Sequence, residues 1–257
     1  MLFRDCGILL LNEYFKERYY NLMITGPLVS VGVPSYNKPS SLAGALKSIT
    51  NQSYQNIEIF ISDDASPDPR IKDVVRSYQK KDSRIRYVLH EINRGGFFNF
   101  EYVLSQSSGK YFMWAADDDL WDKTYIEKCL AALHNSDNLG MVFPRFKVVS
   151  NRDTLFTFLN HNWYLTKKHK VEYFLLLDEC LTHKANLLYG LWRTKEIKAI
   201  WAEGVIRGLG EKHMGAGFDN AFLTLALSHC NAFQIPEVLF YKRYLDRRIP
   251  GSIKSMT

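Results

Sequence analysis

Cysteine is scarce in this sequence of 257 residues, and its four copies stand far apart instead of in the short pairs that bind zinc. Disulfide frameworks and zinc sites draw on clustered cysteines, so the spacing favours reduced thiols in a cytosolic compartment. The sequence also lacks any uninterrupted run of about 18 apolar residues, the length that a membrane-spanning helix needs. A transmembrane anchor is therefore not expected within it. The four cysteines are Cys6, Cys129, Cys180 and Cys230.

Linkers and repeats are also missing, since no stretch rich in proline, glycine and serine divides the chain. The length suits one large α/β domain. We expect this domain over residues 27–257, with a first half at 27–135 and a second half at 136–257. Residues 1–26 form an N-terminal extension whose apolar run, Ile8 to Leu11, is too short for a secretion signal. Two interpretations of the extension stay open: an amphipathic helix on a membrane surface, or a poorly ordered segment.

Acidic residues are outnumbered by basic ones, and the formal net charge is +6. This balance suits an anionic partner, whether a nucleic acid, a nucleoside diphosphate or an anionic lipid surface. The basic residues form no long block. A nucleic-acid partner is therefore not predicted.

Short apolar runs alternate with amphipathic stretches through the first half of the chain. The runs that predict buried strands lie at residues 28–33, 57–61, 85–89 and 111–115. Apolar positions at helical spacing follow each run, as in residues 42–49, where Ser40 or Ser41 is expected to cap the helix. This alternation predicts parallel βαβ units, with helices on both faces of one sheet.

The second half of the chain has a looser pattern. Strands are predicted at residues 141–150, 187–192 and 238–244, and helices at 194–202 and from Asp219 through 227. Asn151-Arg152-Asp153 is typical of a turn into a further strand. Five glycines between 204 and 217 indicate a mobile loop.

Polar clusters directly follow three of the predicted strands in the first half. They lie at residues 35–38, 63–64 and 117–119. Ligands of parallel α/β sheets bind beyond the carboxyl ends of the strands. The three clusters are therefore expected to form a single site.

Asp117, Asp118 and Asp119 are three successive carboxylates, which repel one another unless a cation compensates them. Oxygen ligands of this kind suit Mg²⁺ or Mn²⁺. The alternative is a structural role, in which Asp119 or Asp122 caps the following helix. Asp64 likewise has two interpretations, a turn residue or an acceptor of hydrogen bonds from a base or ribose.

Four ordered blocks of the chain carry a resemblance to a known family. Residues 29–37 (Val-Ser-Val-Gly-Val-Pro-Ser-Tyr-Asn) closely resemble the opening strand and loop of family 2 glycosyltransferases, which have the GT-A fold. The second block comprises Gln52-Ser53-Tyr54 with residues 57–59 and 62–66, and the third comprises Asn93, Gly95 and Asn99 with residues 108–111. Ala116-Asp117-Asp118-Asp119-Leu120-Trp121 resembles the segment that carries the family's D-x-D metal motif.

The resemblance implies a fold and a set of site residues. The fold is α/β of the GT-A type, a single Rossmann-like mixed sheet that is mostly parallel and flanked by helices, with a variable acceptor-side part after residue 135. Asp118 would bind Mn²⁺ or Mg²⁺ and Asp119 would assist, while Asp117 would lie near the ribose or the sugar. The other residues implied to hold the nucleotide-sugar are Pro34, Tyr36, Asn37, Asp64 and Asn93.

Two features of the resemblance concern the chemistry. Ala116 stands where the family usually has the first Asp of its motif, which leaves open which carboxylates meet the metal. The family's general base is an acidic residue just before a helix in the second half, a position that Asp219 fits, with Glu211 as the reserve. A helix cap is the alternative role for Asp219.

The activity implied is a metal-dependent, inverting transfer of a sugar from a nucleotide diphosphate-sugar to an acceptor hydroxyl. A UDP-sugar is the favoured donor, the acceptor is a glycan or a lipid-linked glycan of cell-surface polysaccharide, and the place is the cytoplasm or the inner face of the membrane. Lys242, Arg247 and Arg248 are candidates for covering the pyrophosphate, or are plain solvated charges. The rival functions are a nucleotide-sugar-binding protein without catalysis and a sugar-phosphate nucleotidyltransferase.

Overall fold

The computed structural model describes residues 21–150, 154–157, 164–165, 185–203 and 218–244 of the chain. The strands in these ranges are β1 (Val29–Ser35), β2 (Ile57–Asp63), β3 (Ile85–Leu89), β4 (Tyr111–Trp114), β5 (Leu120–Trp121), β6 (Leu139–Ser150), β7 (Thr154–Thr157), β8 (Tyr164–Leu165), β9 (Leu191–Arg193) and β10 (Asn231–Tyr244). The helices are α1 (Pro39–Thr50), α2 (Arg70–Gln79), α3 (Gly96–Ser105), α4 (Tyr125–His134), α5 (Thr194–Ala202) and α6 (Phe218–His229).

The described strands join into one mixed sheet in the order β3-β2-β1-β4-β9-β6-β10-β5. Strands β3, β2, β1 and β4 are parallel neighbours, as the alternating pattern predicts. Strand β9 runs antiparallel to both β4 and β6 and so joins the two halves of the sheet. The predicted single α/β sheet is confirmed.

Helices cover both faces of this sheet because each central strand is apolar on both sides. All seven residues of β1 are buried, and so are all seven of β2. One face packs against α1, α2 and α4, and the other against α3, α5 and α6. Within β4, Tyr111 and Met113 face the first of these layers, while Phe112 and Trp114 face the second.

The first helix begins differently from the prediction. Its N-cap is Lys38, with Pro39 in the first helical position, so neither Ser40 nor Ser41 caps it. Proline is well suited to that position because its fixed φ is helical and the first amide needs no partner within the helix. Ser41 lies inside the first turn, where its hydroxyl donates to the Lys38 carbonyl at 3.2 Å.

Two elements of the second half also differ from the prediction. The segment predicted as a strand at 187–192 is a 3₁₀ helix at Ala185–Tyr189 followed by the short strand β9. Strand β10 begins at Asn231, seven residues before the predicted start at Val238. Its pairing with β6 shifts register between Ile235 and Val238, which accommodates Pro236 within the strand.

Several predicted segments lie at the ends of the described ranges or outside them. Residues 21–25 are helical, and Leu22 packs into the core with 6% of its surface exposed. Residues 1–20, the turn at 151–153 and the glycine-rich loop at 204–217 lie outside the described residues. Strand β7, which follows that turn, pairs antiparallel with β6 as expected. Among the described helices none is long and apolar enough to cross a bilayer.

Candidate active site

The three polar clusters meet at one edge of the sheet because β1 lies between β2 and β4. Ser35 at the end of β1 is in register with Asp63 at the end of β2. The Asp64 amide donates to the Ser35 carbonyl at 3.1 Å, and the Ser35 hydroxyl donates to Asp117 at 3.0 Å. The structure therefore brings the clusters together as the sequence predicts.

Asp117 ties the first loop to the acidic triplet. Its Oδ2 accepts hydrogen bonds from the Ser35 hydroxyl and from the Tyr36 amide at 3.1 Å, and only 5% of the residue is exposed. Burial raises the pKa of its carboxyl, an effect that the positive charge of Lys38 opposes. Asp117 thus fixes the backbone of the loop that carries Tyr36.

Lys38 lies between two of the carboxylates. Its Nζ is 2.7 Å from Asp118 Oδ2 and 3.3 Å from Asp117 Oδ1. Burial works against the charged ammonium, but the two carboxylates outweigh it and raise the pKa of Lys38. Burial likewise opposes ionisation of Asp118, yet Lys242, Lys38 and Arg243 together hold the pKa of Asp118 below its usual value.

Asp119 has a different environment, since none of its side chain is exposed. Its Oδ2 accepts from Lys242 Nζ at 2.8 Å and its Oδ1 from the Arg243 amide at 2.9 Å. Burial raises the pKa of Asp119, while Lys242 works in the opposite direction. A carboxylate expected to assist at a metal is therefore already bound through both oxygens to β10.

The start of α4 is held by Asp122 and not by Asp119. Asp122 Oδ1 accepts from the Thr124 amide and the Thr124 hydroxyl, each at 2.8 Å. The helix begins directly afterwards at Tyr125. The N-cap of α4 is Thr124 and no side chain bonds to the helix start as a cap, so neither Asp119 nor Asp122 caps this helix.

Arg243 fastens β10 to the backbone of the site. Its Nε donates to the Asp118 carbonyl, and its Nη2 donates to the Ser41 carbonyl at 2.9 Å. Arg243 and Lys242 are adjacent in β10. A single strand therefore supplies both the ammonium that pairs with Asp119 and the guanidinium that binds the Asp118 carbonyl. Lys242, considered for the pyrophosphate, is engaged with Asp119, and Arg247 and Arg248 lie outside the described residues.

Asp64 holds a neighbouring turn. Its two oxygens accept from the Arg94 and Gly95 amides, both at 2.8 Å, and only 2% of the residue is exposed. Asn93 Oδ1 accepts from the same Gly95 amide at 3.1 Å. Gly95 has φ 89°, a left-handed conformation that side chains disfavour. Asp64 thus acts as a turn residue here, and its role as an acceptor of hydrogen bonds from a base or ribose stays a prediction.

Three residues of the first block differ in accessibility. Tyr36 is 45% exposed, as a residue that stacks on a ligand would be. Asn37 is exposed and has φ 53°, and its amide donates to the Ser66 hydroxyl at 2.8 Å. Pro34 is buried inside β1. Pro34 therefore shapes the strand end from within instead of presenting a surface.

Asp219 lies in the first turn of α6, within the helix and not before it. Its side chain belongs to an exposed residue, and its pKa is raised by partial desolvation, which the charge of Lys242 opposes. Both Asp219 and Asp119 also act on the Tyr189 hydroxyl, whose pKa is raised mainly by burial. Asp219 and Asp119 thus share Lys242 and Tyr189 as electrostatic partners. Glu211, the reserve candidate, lies outside the described residues.

Three site residues were not assigned a role from the sequence: Lys38, Arg243 and Asn99. Lys38 belongs to one of the clusters that follow a strand, which was the available signal. Asn99 donates to the Ser35 carbonyl at 3.2 Å, and its buried Oδ1 has no hydrogen-bond partner among the described residues. Arg243 has its role because β10 lies beside the triplet. That long-range contact cannot be predicted from the residues around Arg243 in the sequence.

Both the sequence and the fold resemble those of known proteins. The sequence model of the family described as "Glycosyl transferase family 2" matches residues 30–188, more than half of the chain. The chain belongs to this family. The expected family and the expected GT-A fold are thereby confirmed, and solved structures that share the fold superpose on most of the chain.

One curated relative of this family 2 chain is the GalNAc(5)-diNAcBac-PP-undecaprenol beta-1,3-glucosyltransferase of Campylobacter jejuni. It is 42% identical over 94 residues, which are 36% of this chain and 30% of that protein. The match thus spans less than a third of the relative's length.

Two solved structures show the same fold at low identity. One is Staphylococcus aureus TarS 1-349 in complex with UDP-GlcNAc, with TM-score 0.62, 18% identity, and coverage of 88% of this chain and 60% of that chain. The other is mannosyltransferase PcManGT of Pyrobaculum calidifontis in complex with GDP-Man and Mn²⁺, with TM-score 0.57, 17% identity, and coverage of 92% and 64%.

Proposed function

We propose that this family 2 chain transfers a sugar from a nucleotide diphosphate-sugar, with a UDP-sugar favoured, to a hydroxyl of a glycan or lipid-linked glycan. The observation that carries the proposal is the meeting of three elements at the ends of β1, β2 and β4. These are the exposed Tyr36, the turn held by Asp64, and the acidic triplet with its cations.

The nucleotide end of the proposed cleft is the loop after β1. Tyr36 offers an exposed ring for stacking on a base, and Asn37 lies beside it. Asp64 and Asn93 shape the adjoining turn at Gly95. The UDP-GlcNAc complex of TarS, which shares the fold, supports UDP as the carrier.

The diphosphate end is at Asp117 and Asp118, and their arrangement fits a divalent cation. Two carboxylates already share one positive charge, the Lys38 ammonium, and oxygen donors of this kind suit Mn²⁺ or Mg²⁺. Within the described residues no group of three His, Cys, Asp or Glu side chains could hold a metal by itself. The ion would therefore need phosphate oxygens of the donor, as is usual for Mg²⁺ sites.

Asp118 is the proposed metal ligand, with Asp117 beside it. Asp119 has both oxygens bound to β10, so we assign it to anchoring the acidic triplet to that strand. When bound, the metal supplies Lewis-acid neutralisation of the charge on the departing diphosphate. PcManGT, which shares the fold, is in complex with Mn²⁺, in line with this assignment.

Asp219 is the proposed general base. It takes the proton from the acceptor hydroxyl as that oxygen forms a bond to the anomeric carbon and the bond from that carbon to the phosphate oxygen breaks. No enzyme nucleophile takes part, so the configuration at the anomeric carbon inverts. The undecaprenol-linked acceptor in the name of the Campylobacter relative supports a lipid-linked acceptor at the inner membrane face.

The test is product release from a panel of UDP-, GDP- and dTDP-sugars with Mn²⁺, with and without candidate acceptors. We expect nucleoside diphosphate, with Asp118→Asn losing metal-dependent donor binding and Asp73→Asn, an exposed carboxylate of α2, behaving as wild type. Pyrophosphate as the product would show a nucleotidyltransferase. Donor binding without turnover on any acceptor would show a binding protein, consistent with Ala116 in the first position of the motif.

A further inference from the structure

We propose that Lys38 is a placeholder cation. Without metal and donor, its ammonium occupies the space between the carboxylates of Asp117 and Asp118. When metal and donor bind, the ammonium moves to the diphosphate. The inference rests on the proposed function. It assigns a role to a residue that the sequence placed in a polar cluster but to which it gave no function.

The geometry supplies the first step. Lys38 Nζ contacts carboxylate oxygens of both neighbours, at 2.7 Å from Asp118 and 3.3 Å from Asp117. A divalent ion that used these oxygens would lie where the ammonium lies. Two cations cannot share that space, so Lys38 and the metal compete.

The exposure of the partners supplies the second step. The Lys38 side chain is 39% exposed, whereas those of Asp117 and Asp118 are 7% and 23% exposed. The lysine therefore approaches from the solvent side of the pair. A flexible four-carbon stem lets the ammonium leave without disturbing the carboxylates.

The other two cations at the triplet cannot act in this way. Lys242 is bound to Asp119, whose side chain has no exposure, and Arg243 is fixed by contacts to the Asp118 and Ser41 carbonyls. Each belongs to β10 and is held within the sheet. Among the cations that the described residues place here, Lys38 is the one free to change partner.

Competition of this kind couples metal binding to nucleotide binding. Without nucleotide, a metal ion must displace the ammonium into water. With a nucleoside diphosphate present, the displaced ammonium gains phosphate oxygens as new partners, so displacement becomes easier. Such coupling is reciprocal, and each ligand must strengthen the other by the same factor.

The experiment measures Mn²⁺ affinity by the electron paramagnetic resonance signal of free Mn²⁺, with and without UDP. The variant is Lys38→Met, which matches the unbranched stem of the side chain and removes its charge, with Lys38→Gln as a second neutral variant. Lys47→Met is the matched control, because Lys47 is an exposed lysine on the same helix. Far-ultraviolet circular dichroism verifies that each variant is folded.

We expect Lys38→Met to bind Mn²⁺ about tenfold more tightly than wild type without UDP. The strengthening of Mn²⁺ binding by UDP should shrink by a similar factor, and Lys47→Met should match wild type in both measurements. An unchanged or weaker Mn²⁺ affinity in Lys38→Met and Lys38→Gln overturns the inference, including the case in which no variant binds the ion.

Turnover of the wild-type protein on the donor panel is scored separately. Turnover together with unchanged Mn²⁺ affinity in the variants rejects the placeholder role and leaves the proposed function standing. A gain in Mn²⁺ affinity without turnover on any donor supports the placeholder role and rejects the proposed function.

Discussion

Lys242 Nζ lies 2.8 Å from Asp119 Oδ2, although 123 residues separate the two in the sequence. The contact joins the last described strand to the loop after β4. It neutralises a carboxylate that has no exposed surface, and the neighbouring Arg243 amide binds the other oxygen of the same group. The acidic triplet is therefore completed by the second half of the chain.

Replacing Lys242 by Met should destabilise the fold strongly. The Asp119 carboxylate would remain buried without its counter-charge, a situation that costs about 3–5 kcal/mol of unfolding free energy. Urea unfolding at neutral pH measures the loss. Lys128→Met is the matched control, since Lys128 pairs with the more exposed Glu237 on the same strand, and it should cost at most about 1 kcal/mol.

The pH dependence of this loss gives a second check. In Lys242→Met the folded-state pKa of Asp119 rises further above its unfolded value, because the opposing charge is gone while the burial remains. Protonated Asp119 then stabilises the fold below its pKa in the unfolded chain, near 4. This stabilisation is lost as the pH rises through the pKa of Asp119 in the folded protein. The gap to wild type should narrow on acidification. A gap that stays constant with pH would refute the assignment of the loss to Asp119.

Replacing Asp64 by Ala should loosen the turn at Gly95. The Arg94 amide loses its acceptor and the Gly95 amide keeps only Asn93 Oδ1, at a site where 2% of Asp64 is exposed, which should cost about 1–3 kcal/mol. Calorimetry should also detect weaker UDP binding, since the turn adjoins the proposed site of the nucleotide. Asp73→Asn should change stability by no more than about 0.5 kcal/mol. Unaltered stability in Asp64→Ala would show that the turn holds itself.

The pH profile of kcat/KM should report Asp219 as the base. A base must be deprotonated to act, so activity falls as the pH drops through its pKa, and desolvation raises that pKa above the usual aspartate value near 4. Asp219→Asn should lower kcat about 10²–10⁴-fold and abolish the acid limb while donor binding is kept. Glu203→Gln, another exposed acidic residue, should keep the limb. The same acid limb in Asp219→Asn would assign it to another group.

Two glycines should respond to alanine for different reasons. A Cβ on Gly32 would lie 2.7 Å from Val103 Cγ2, so Gly32→Ala should cost about 1–3 kcal/mol through overpacking, and Val103→Ala in the same chain should recover part of it. Gly95→Ala meets no atom within 4 Å, and its cost of about 1–3 kcal/mol should come from the backbone conformation, φ 89° and ψ 163°, alone. Urea unfolding of the three variants tests this; no recovery by Val103→Ala would contradict the contact.

The first half of the chain was predictable because local pattern and tertiary packing agree there. Strands β1 and β2 are short apolar runs that are buried on both faces, and the apolar stripe of α1 faces the core. The meeting of the polar clusters followed from the parallel order of the strands. Such information is contained in a few neighbouring residues.

The second half was less predictable because long-range pairing decides its structure. The last strand was predicted to start at Val238, whereas a register shift against β6 lets β10 begin at Asn231 and pass through Pro236. Leu187 and its neighbours are as apolar as a strand, yet they form a 3₁₀ helix that covers the core. The partners of Asp119 were likewise out of reach, since a distant strand supplies them.

The attachment of β10 to the triplet has a consequence for synthesis on the ribosome. The elements from β1 to α4 emerge first and contain all three aspartates, but Lys242 and Arg243 emerge more than a hundred residues later. Until then the nascent chain holds an acidic edge with Lys38 as its nearby counter-charge. Translation order thus delays both the pairing of β10 with β5 and β6 and the binding of Asp119 by Lys242 until the last described strand has been made.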